Sequence, residues 1–305
     1  MSWEPIVVGV DASPESAAAV AFAIRAAERA GTSCHLVHAT REALAVPDAP
    51  EGNRYRQALA EQARAQLATV LRDAVPPQPL AKLVVRLGSA PGVLEDAAAD
   101  LGAGLIVLGG KQHSMLGRWL GGSTSLDVVR TTDVPVLVVA GPADAFRRVL
   151  VAVDVSGAAR PTLAAAERYA ALFGADLRAL TVLEPLPVIP EITQPYDTTQ
   201  YYAMTEQMLA QEVWPAIRTP GVEKFVRHGM AVETILREVT DWRADLLVVG
   251  SHGKGWAERM LVGSVTERLI NHLPTSLLVV PTRAAAVVTD RSPEVEAAQP
   301  TVAIA

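Results

Sequence analysis

An internal repeat constrains the fold of this chain more than any other feature of its sequence. IVVGVDASPES at 6–16 returns as VLVAVDVSGAA at 149–159, and LIVLGGKQH at 105–113 returns as LLVVGSHGK at 246–254. The copies lie 141 to 143 residues apart, so only small insertions distinguish the two halves. A chain of 305 residues is long enough for two ordinary cores. The sequence therefore predicts two copies of one domain.

Short β-rich segments alternate with helical segments along each half. In the first half this pattern predicts strands at 5–10, 35–39, 80–87, 105–108 and 134–139, and helices at 14–30, 51–74, 93–101 and 123–131. In the second half it predicts strands at 149–153, 177–182, 223–227, 246–249 and 276–280. Alternation of this kind implies right-handed crossovers and an α/β fold, in which a parallel sheet has helices on both faces.

Proline and glycine mark the predicted boundaries. We expect domains at 1–141 and 147–283, a linker at 140–148, and a disordered, alanine-rich acidic tail at 284–305. The proline-rich segment at 184–202 has no helical or strand period, which favours a solvated surface connection over a lid.

The second half contains a glycine-punctuated strand, loop and helix. Gly250 ends an apolar run, Gly253 lies in the loop, and Gly263 and Ser264 stand at the head of a helical pattern. Glycine lets a ligand approach the backbone, and the first amides of a helix have no partner within it. These features predict a phosphate site. Ser264 to Glu267 also has the pattern of a capping box, which predicts that Ser264 is the N-cap.

The spacing of Gly250, Gly253, Gly263 and Ser264 reproduces G-x2-G-x9-G-[S/T], the signature of the ATP-binding branch of the universal stress protein family. The chain resembles a tandem member of that family over roughly residues 4–283. The resemblance implies two Rossmann-like domains of the adenine nucleotide alpha hydrolase-like type, each a five-stranded parallel sheet of order 3-2-1-4-5. It also implies that the fifth strands pair the two halves as an intramolecular pseudo-dimer.

The same resemblance implies an ATP site in the second half, with Mg²⁺ carried by the triphosphate. It places Asp154 against the adenosine, the backbone of Val182 against adenine, and Ala152 and Gly250 beside the ribose. It assigns phosphate binding to Gly253, Gly263, Ser264, Val265 and Thr266. His252 and Lys254 are candidate hydrogen-bond donors within the loop. Plainer readings stay open, because the glycines can be turn residues, Asp154 a helix cap, and the two loop side chains merely solvated.

The first half departs from the signature because Gln112 stands where a glycine belongs. If that position needs a left-handed backbone, Gln costs roughly 1–2 kcal/mol, or about a five- to thirtyfold loss of affinity. Its candidate residues therefore rank lower. They are Gly9, Asp11, Ala39, Gly109, Gly122, Ser123, Thr124 and Ser125.

Charge and composition narrow the choice of partners. A net charge of −6 argues against nucleic acid, whose non-specific binding needs clustered Lys and Arg. With no long apolar run and no basic-then-apolar leader, we expect a cytoplasmic protein without a membrane partner. Cys34 is the one cysteine, expected as a small buried residue. No H-E-x-x-H or Cys/His cluster predicts zinc, and neither a G-x4-G-K-[ST] loop nor a G-x-S-x-G elbow is present.

The function implied by the resemblance is a stress or dormancy regulator that binds ATP and responds to its occupancy, and it is not expected to be a strong ATPase. Two alternatives stay open. One is a slow ATP hydrolase or phosphotransferase using the same crevice, and the other is an interaction module without nucleotide. Pairing of two chains into a homodimer also stays open.

The departure at Gln112 generates a prediction about stoichiometry. ATP titrated into the purified chain is expected to fill the second-half site before the first-half site, because only the second half keeps every signature position. Isothermal titration calorimetry measures this directly. Equal occupancy of two equivalent sites would contradict it.

Overall fold

A computed structural model of the chain describes residues 2–41, 50–72, 75–110, 124–142, 145–185, 198–252 and 262–282. The first half contains β1 (Ile6–Gly9), α1 (Pro14–Ala30), β2 (Cys34–Thr40), α2 (Pro50–Val70), α3 (Pro77–Ala81), β3 (Val84–Leu87), α4 (Ala90–Leu101), β4 (Leu105–Gly110), α5 (Thr124–Thr131) and β5 (Val136–Ala140).

The second half repeats the arrangement. It contains β6 (Arg148–Ala152), α6 (Ala159–Phe173), β7 (Asp176–Leu183), α7 (Thr198–Met208), β8 (Glu223–His228), α8 (Ala231–Trp242), β9 (Leu246–Gly250), α9 (Ser264–His272) and β10 (Ser276–Val280). Helix α7 continues into a π-helical turn at Leu209–Val213 and a 3₁₀ turn at Trp214–Ala216.

The ten strands form one sheet in the order β3-β2-β1-β4-β5-β10-β9-β6-β7-β8. Strands are parallel within each half, with the order 3-2-1-4-5 that the resemblance implied. At the centre, β5 and β10 pair antiparallel, with Leu137 opposite Leu278. The predicted α/β fold is therefore confirmed, and the two halves are joined through their fifth strands into a single sheet.

Helices cover both faces of the sheet because its strands are apolar on both sides. One core cluster lies under α1 and α6 and includes Val8, Phe22, Leu163 and Val248. The other lies under α4, α5, α8 and α9 and includes Leu126. Each cluster contains residues of both halves, so the cores are continuous across the central strand pair.

Aromatic rings from both halves and the linker meet on the α1 and α6 face. Phe146 of the linker is fully buried, and its ring centroid lies 4.7 Å from that of Phe22 and 5.2 Å from that of Phe173. Nearby, the guanidinium of Arg168 on α6 donates to Glu4 Oε2 at 2.7 Å and lies 3.9 Å from the ring centroid of Trp3. The hydrogen bond from Arg168 holds the pKa of Glu4 below its ordinary value. The amino-terminal segment is thereby attached to the second half.

Several predicted boundaries are wrong. The strand predicted at 80–87 begins only at Val84, because Pro77 and Pro79 set helical φ angles and α3 takes up Leu80 and Ala81. Helix α2 ends at Val70 and not at Ala74, which lies outside the described residues. The segment predicted as a loop at 184–202 is helical from Thr198 onward.

Other expectations meet the structure in part. Cys34 begins β2 but is only half-buried, and burial raises the pKa of its thiol to about 12. The tail predicted to be disordered at 284–305 lies outside the described residues.

The Phe146 cluster generates a stability prediction. Phe146→Ala is expected to lower the free energy of unfolding by about 3–5 kcal/mol, because the ring is fully buried between two other rings. Val70→Ala is the control, since Val70 is 52% exposed and should change stability by no more than about 0.5 kcal/mol. Urea unfolding followed by circular dichroism measures both variants. A Phe146→Ala loss no larger than that of the control would refute the role of the cluster.

Candidate functional site

A cavity of about 330 Å³ lies at the carboxyl ends of β6, β7 and β9. Strand order reverses there, since β6 is flanked by β7 on one side and β9 on the other. Open α/β sheets bind ligands at such a point. The structure brings nine of the second-half residues predicted for the site into the lining of this cavity: Ala152, Asp154, Val182, Gly250, His252, Gly263, Ser264, Val265 and Thr266.

The start of α9 forms one wall of the cavity. Gly263 is the N-cap, and the first hydrogen bond within the helix runs from Glu267 N to Gly263 O at 2.9 Å. The amides of Ser264, Val265 and Thr266 precede that bond, so they belong to the helix end that carries a partial positive charge. The wall suits an anion.

The predicted capping box is not formed. The helix begins at Ser264, and its N-cap residue, Gly263, has no side chain that could accept a hydrogen bond from the first amides. Because Ser264 already lies within the first turn and is exposed, its hydroxyl is not in the N-cap position. The sequence pattern was right about the helix start to within one residue but wrong about the hydrogen bonds there.

Thr266 attaches the start of α9 to the end of β9. Its side chain is buried, with 4% exposure, and its Oγ1 donates to the carbonyl oxygen of Gly250 at 2.8 Å. A Cβ atom at Gly250 would lie 3.1 Å from Thr162 Oγ1 on α6, so the absence of a side chain keeps this corner open. These contacts fix the distance between the strand end and the helix wall.

Asp154 follows β6 at the rim of the cavity. Its Oδ1 accepts a hydrogen bond from Ser156 N at 3.0 Å, which closes a local turn. It does not cap α6, whose N-cap is Ala158 and has no side-chain hydrogen bond. The plain alternative of a helix cap is therefore wrong for this residue, and its carboxylate is half-buried beside the cavity.

His252 belongs to a small polar cluster that follows β9. Its Nδ1 lies 2.9 Å from Ser251 Oγ, and its backbone N donates to Thr282 Oγ1 at 3.2 Å. Nε2 is buried and has no hydrogen-bond partner among the described residues. Burial lowers the pKa of the imidazole below its ordinary value of 6.5, so the ring is neutral at pH 7. In a neutral imidazole one ring nitrogen is a donor and the other an acceptor, so Nδ1 and Nε2 have opposite roles.

The opposite end of the cavity is apolar. Val182, Leu183 and Ile235 line it. Polar contacts fix the backbone around them: Thr181 Oγ1 donates to Val153 O at 2.8 Å, and Ala231 N at the start of α8 donates to Glu184 Oε1 at 2.8 Å. The cavity therefore has one apolar end beside β7 and one end rich in backbone donors beside α9.

Sequence reasoning missed the residues that α6 and α7 contribute to this lining. Tyr201 and Thr205 come from α7, and Ala158 and Thr162 from the start of α6. The first pair had a detectable signal, because positions 201, 205, 209 and 213 recur every four residues as on one helix face. The proline-rich sequence just before them concealed it.

The first-half equivalents are arranged differently. Asp11 Oδ1 accepts from Ser13 N at 2.9 Å, as Asp154 does from Ser156. However, a Cβ at Gly109 would lie 2.5 Å from the carbonyl carbon of Glu15, so α1 begins directly over the end of β4. Glu15 occupies the repeat position of Ala158, and its Oε2 is buried without a hydrogen-bond partner in the described part of the chain. A carboxylate in that position disfavours an anion.

The other first-half candidates lie where the repeat requires. Gly9 ends β1, Ala39 lies near the end of β2, and Thr124 is the exposed first residue of α5, followed by the buried Ser125. Four candidates fall outside the described residues: Gly122, Ser123, Gly253 and Lys254. Gln112 lies outside them as well.

Comparison with known proteins decides the family. The sequence model of the universal stress protein family matches residues 2–140 and 145–281. The chain belongs to the universal stress protein family. It is 31% identical over 289 residues to a universal stress protein of Mycolicibacterium smegmatis, with 90% of this chain and 96% of the relative covered. It is 32% identical over 296 residues to one of Mycobacterium tuberculosis, with 90% and 95% covered.

Solved structures of the family agree with the fold. A universal stress protein from Archaeoglobus fulgidus matches with a TM-score of 0.59 and 21% identity, covering 91% of this chain and 98% of that one. A protein from Pseudomonas aeruginosa, titled a putative universal stress protein, matches with a TM-score of 0.59 and 17% identity, covering 92% and 94%. Both support the tandem α/β architecture. None of the described helices of this universal stress protein is long and apolar enough to cross a membrane.

The lowered pKa of His252 generates a prediction about pH. The unfolded chain protonates this ring near pH 6.5, whereas the folded chain does so only at lower pH, so the folded state loses stability as the pH falls below about 6.5. His252→Asn removes the titrating group and keeps a polar atom near Ser251. Urea unfolding of both proteins between pH 7.5 and pH 5 is expected to show a steeper decline for the wild type. Parallel declines would rule out a buried neutral His252.

Proposed function

We propose that this universal stress protein binds ATP in the second-half cavity and acts as a nucleotide-responsive regulator of stress or dormancy. The observation that carries the proposal is the convergence of nine predicted site residues from separate elements on one cavity at the strand-order reversal. Its volume of about 330 Å³ falls at the lower end of small-molecule sites. The proposal places the protein in the cytoplasm, where ATP is abundant.

The donor-rich end suits the triphosphate. The amides of Ser264, Val265 and Thr266 open α9 at this wall, and the helix dipole adds a partial positive charge. Nε2 of His252 is buried and lacks a partner among the described residues, and it donates in the tautomer that carries the ring proton there. Mg²⁺ would enter with the nucleotide, held mainly by phosphate oxygens, and would neutralise part of their charge.

The apolar end suits the adenine ring. Val182 and Ile235 offer apolar surface there, while the strand backbone at Val182 offers hydrogen-bonding groups at the base edge. Between the two ends, Asp154 lies at the cavity rim as an acceptor for sugar hydroxyls, and Ala152 and Gly250 leave room for the ribose. The sequence of apolar, acceptor and donor groups along the cavity matches base, sugar and phosphates.

Two features of the first half disfavour a second strong site there. Glu15 places a carboxylate where the second half has the methyl group of Ala158, and the start of α1 crowds Gly109. A negative charge at this point repels phosphate oxygens. The two halves are therefore expected to differ in affinity for reasons beyond Gln112.

Paired aspartate variants test this function. Asp154→Ala is expected to weaken ATP binding by about 10- to 100-fold, because a charged acceptor to a bound ligand contributes about 1.5–3 kcal/mol. Asp11→Ala is the matched control, since it removes the repeat-equivalent carboxylate and is expected to leave the strong site unchanged. Isothermal titration calorimetry measures both variants, and adenine nucleotide released from denatured wild-type protein reports retention after purification.

The same samples separate the proposal from its alternatives. Retained nucleotide without turnover is the expected result. Turnover of labelled ATP that Asp154→Ala abolishes would make the protein a slow ATP hydrolase or phosphotransferase. Wild-type protein that neither retains nor binds ATP would overturn the proposal in favour of an interaction module.

A further inference from the structure

Helix α7 contributes an aromatic residue to the cavity that lies outside the glycine signature. Tyr201 is the only phenylalanine, tyrosine or tryptophan among the described residues that line it. The helix follows β7 in the chain and precedes β8, and its first turn contacts the end of β8 through Tyr202. The first turn therefore lies on the β7 and β8 side of the cavity, where Val182 also lies.

Buried residues hold α7 in place. Leu209 is fully buried and Val213 is 4% exposed, and both belong to the core cluster under α6. Thr205 lies on the same helix face and is buried, and its Oγ1 donates to the carbonyl oxygen of Tyr201 at 2.9 Å. The rest of α7 and the π-helical turn that follows it therefore attach the first turn of the helix to the core.

A second set of contacts anchors the first turn to the edge strand. The ring centroid of Tyr202 lies 5.6 Å from that of Tyr201 and 4.4 Å from that of His228, with an edge-on geometry to the imidazole. His228 is the last residue of β8, next to the end of β7. Tyr201 is thus positioned on the β7 and β8 side of the cavity.

The first half carries no aromatic residue at the matching position. Leu67 and Leu71 of the first half are buried, as are Leu209 and Val213 of the second half. Leu209 lies 142 residues after Leu67, and Val213 lies 142 residues after Leu71. The same register places Leu59 opposite Tyr201. The aromatic ring occurs in the half whose glycine spacing is complete, and leucine occurs in the half that has Gln112.

We infer that Tyr201 contacts the base of the bound nucleotide and makes the site select ligands that carry an aromatic base. The inference rests on the proposed function, since it requires a nucleotide in this cavity. A tyrosine ring offers a flat, rigid surface for stacking or edge contact with a purine, and leucine does not. Base–aromatic contacts of this kind change affinity substantially while leaving phosphate contacts intact.

The experiment compares two ligands, ATP and inorganic tripolyphosphate, on wild type and Tyr201→Leu. The variant introduces the residue found in the first half. It is expected to bind ATP about tenfold more weakly, equivalent to about 1.4 kcal/mol, and tripolyphosphate within about twofold of wild type. Tyr201→Phe keeps the ring and is expected to bind ATP within about threefold of wild type. Tyr55→Leu, an exposed position on α2, is the control and should change neither affinity.

A measurement on the unaltered protein does not depend on the folding of any variant. In the wild-type complex with ATP, NMR is expected to show nuclear Overhauser effects between the Tyr201 ring protons and the adenine protons. Their absence would overturn the inference, as would unchanged ATP affinity in Tyr201→Leu or an equal loss of ATP and tripolyphosphate. If wild type and Tyr201→Leu bind ATP equally well, the role of Tyr201 is refuted and the proposed function stands. Wild type that binds no ATP refutes the proposed function and this inference together.

Discussion

The hydrogen bond from Thr266 Oγ1 to the carbonyl oxygen of Gly250 is the contact on which the geometry of the site depends. It joins the end of β9 to the start of α9 and is buried, so water does not compete with it. Because of this bond, the first amides of α9 stay beside the end of the strand whatever path the intervening loop follows. The side chain of Thr266 thus has a structural role, whereas the proposed phosphate contact uses its backbone amide.

The sheet supplies the second constraint. Each half alone would end in an unpaired fifth strand, and an exposed strand edge is prone to unwanted association. Antiparallel pairing of β5 with β10 removes both edges and brings α5 and α9 together, where Arg130 lies 3.5 Å from Glu267. The two candidate sites therefore lie at one continuous sheet. The halves share the scaffold but differ in residues, since Glu15 and Leu59 stand in the first half where the second half has Ala158 and Tyr201.

The sequence was sufficient for the architecture because a repeat of buried strands and glycine-ended helices leaves few alternatives. It was also sufficient for most of the second-half lining, since the ends of parallel strands must meet at one edge. The spacing of positions 201, 205, 209 and 213 predicts one helix face, but it does not predict that packing of Leu209 and Val213 in the core brings Tyr201 to the cavity. The exact hydrogen bonds of a helix end were also beyond it, as Ser264 shows, since one residue's shift turns an N-cap into a first-turn residue.

The central claim is that the start of α9, and not the start of α5, holds the phosphates. Amide hydrogen exchange of the full chain with and without Mg–ATP tests it most directly, residue by residue. The account predicts slower exchange at the amides of Ser264, Val265 and Thr266 on addition of ATP, with the amides of Thr124 and Ser125 unchanged. Unchanged exchange at the start of α9, or equal protection of both helix starts, would contradict it.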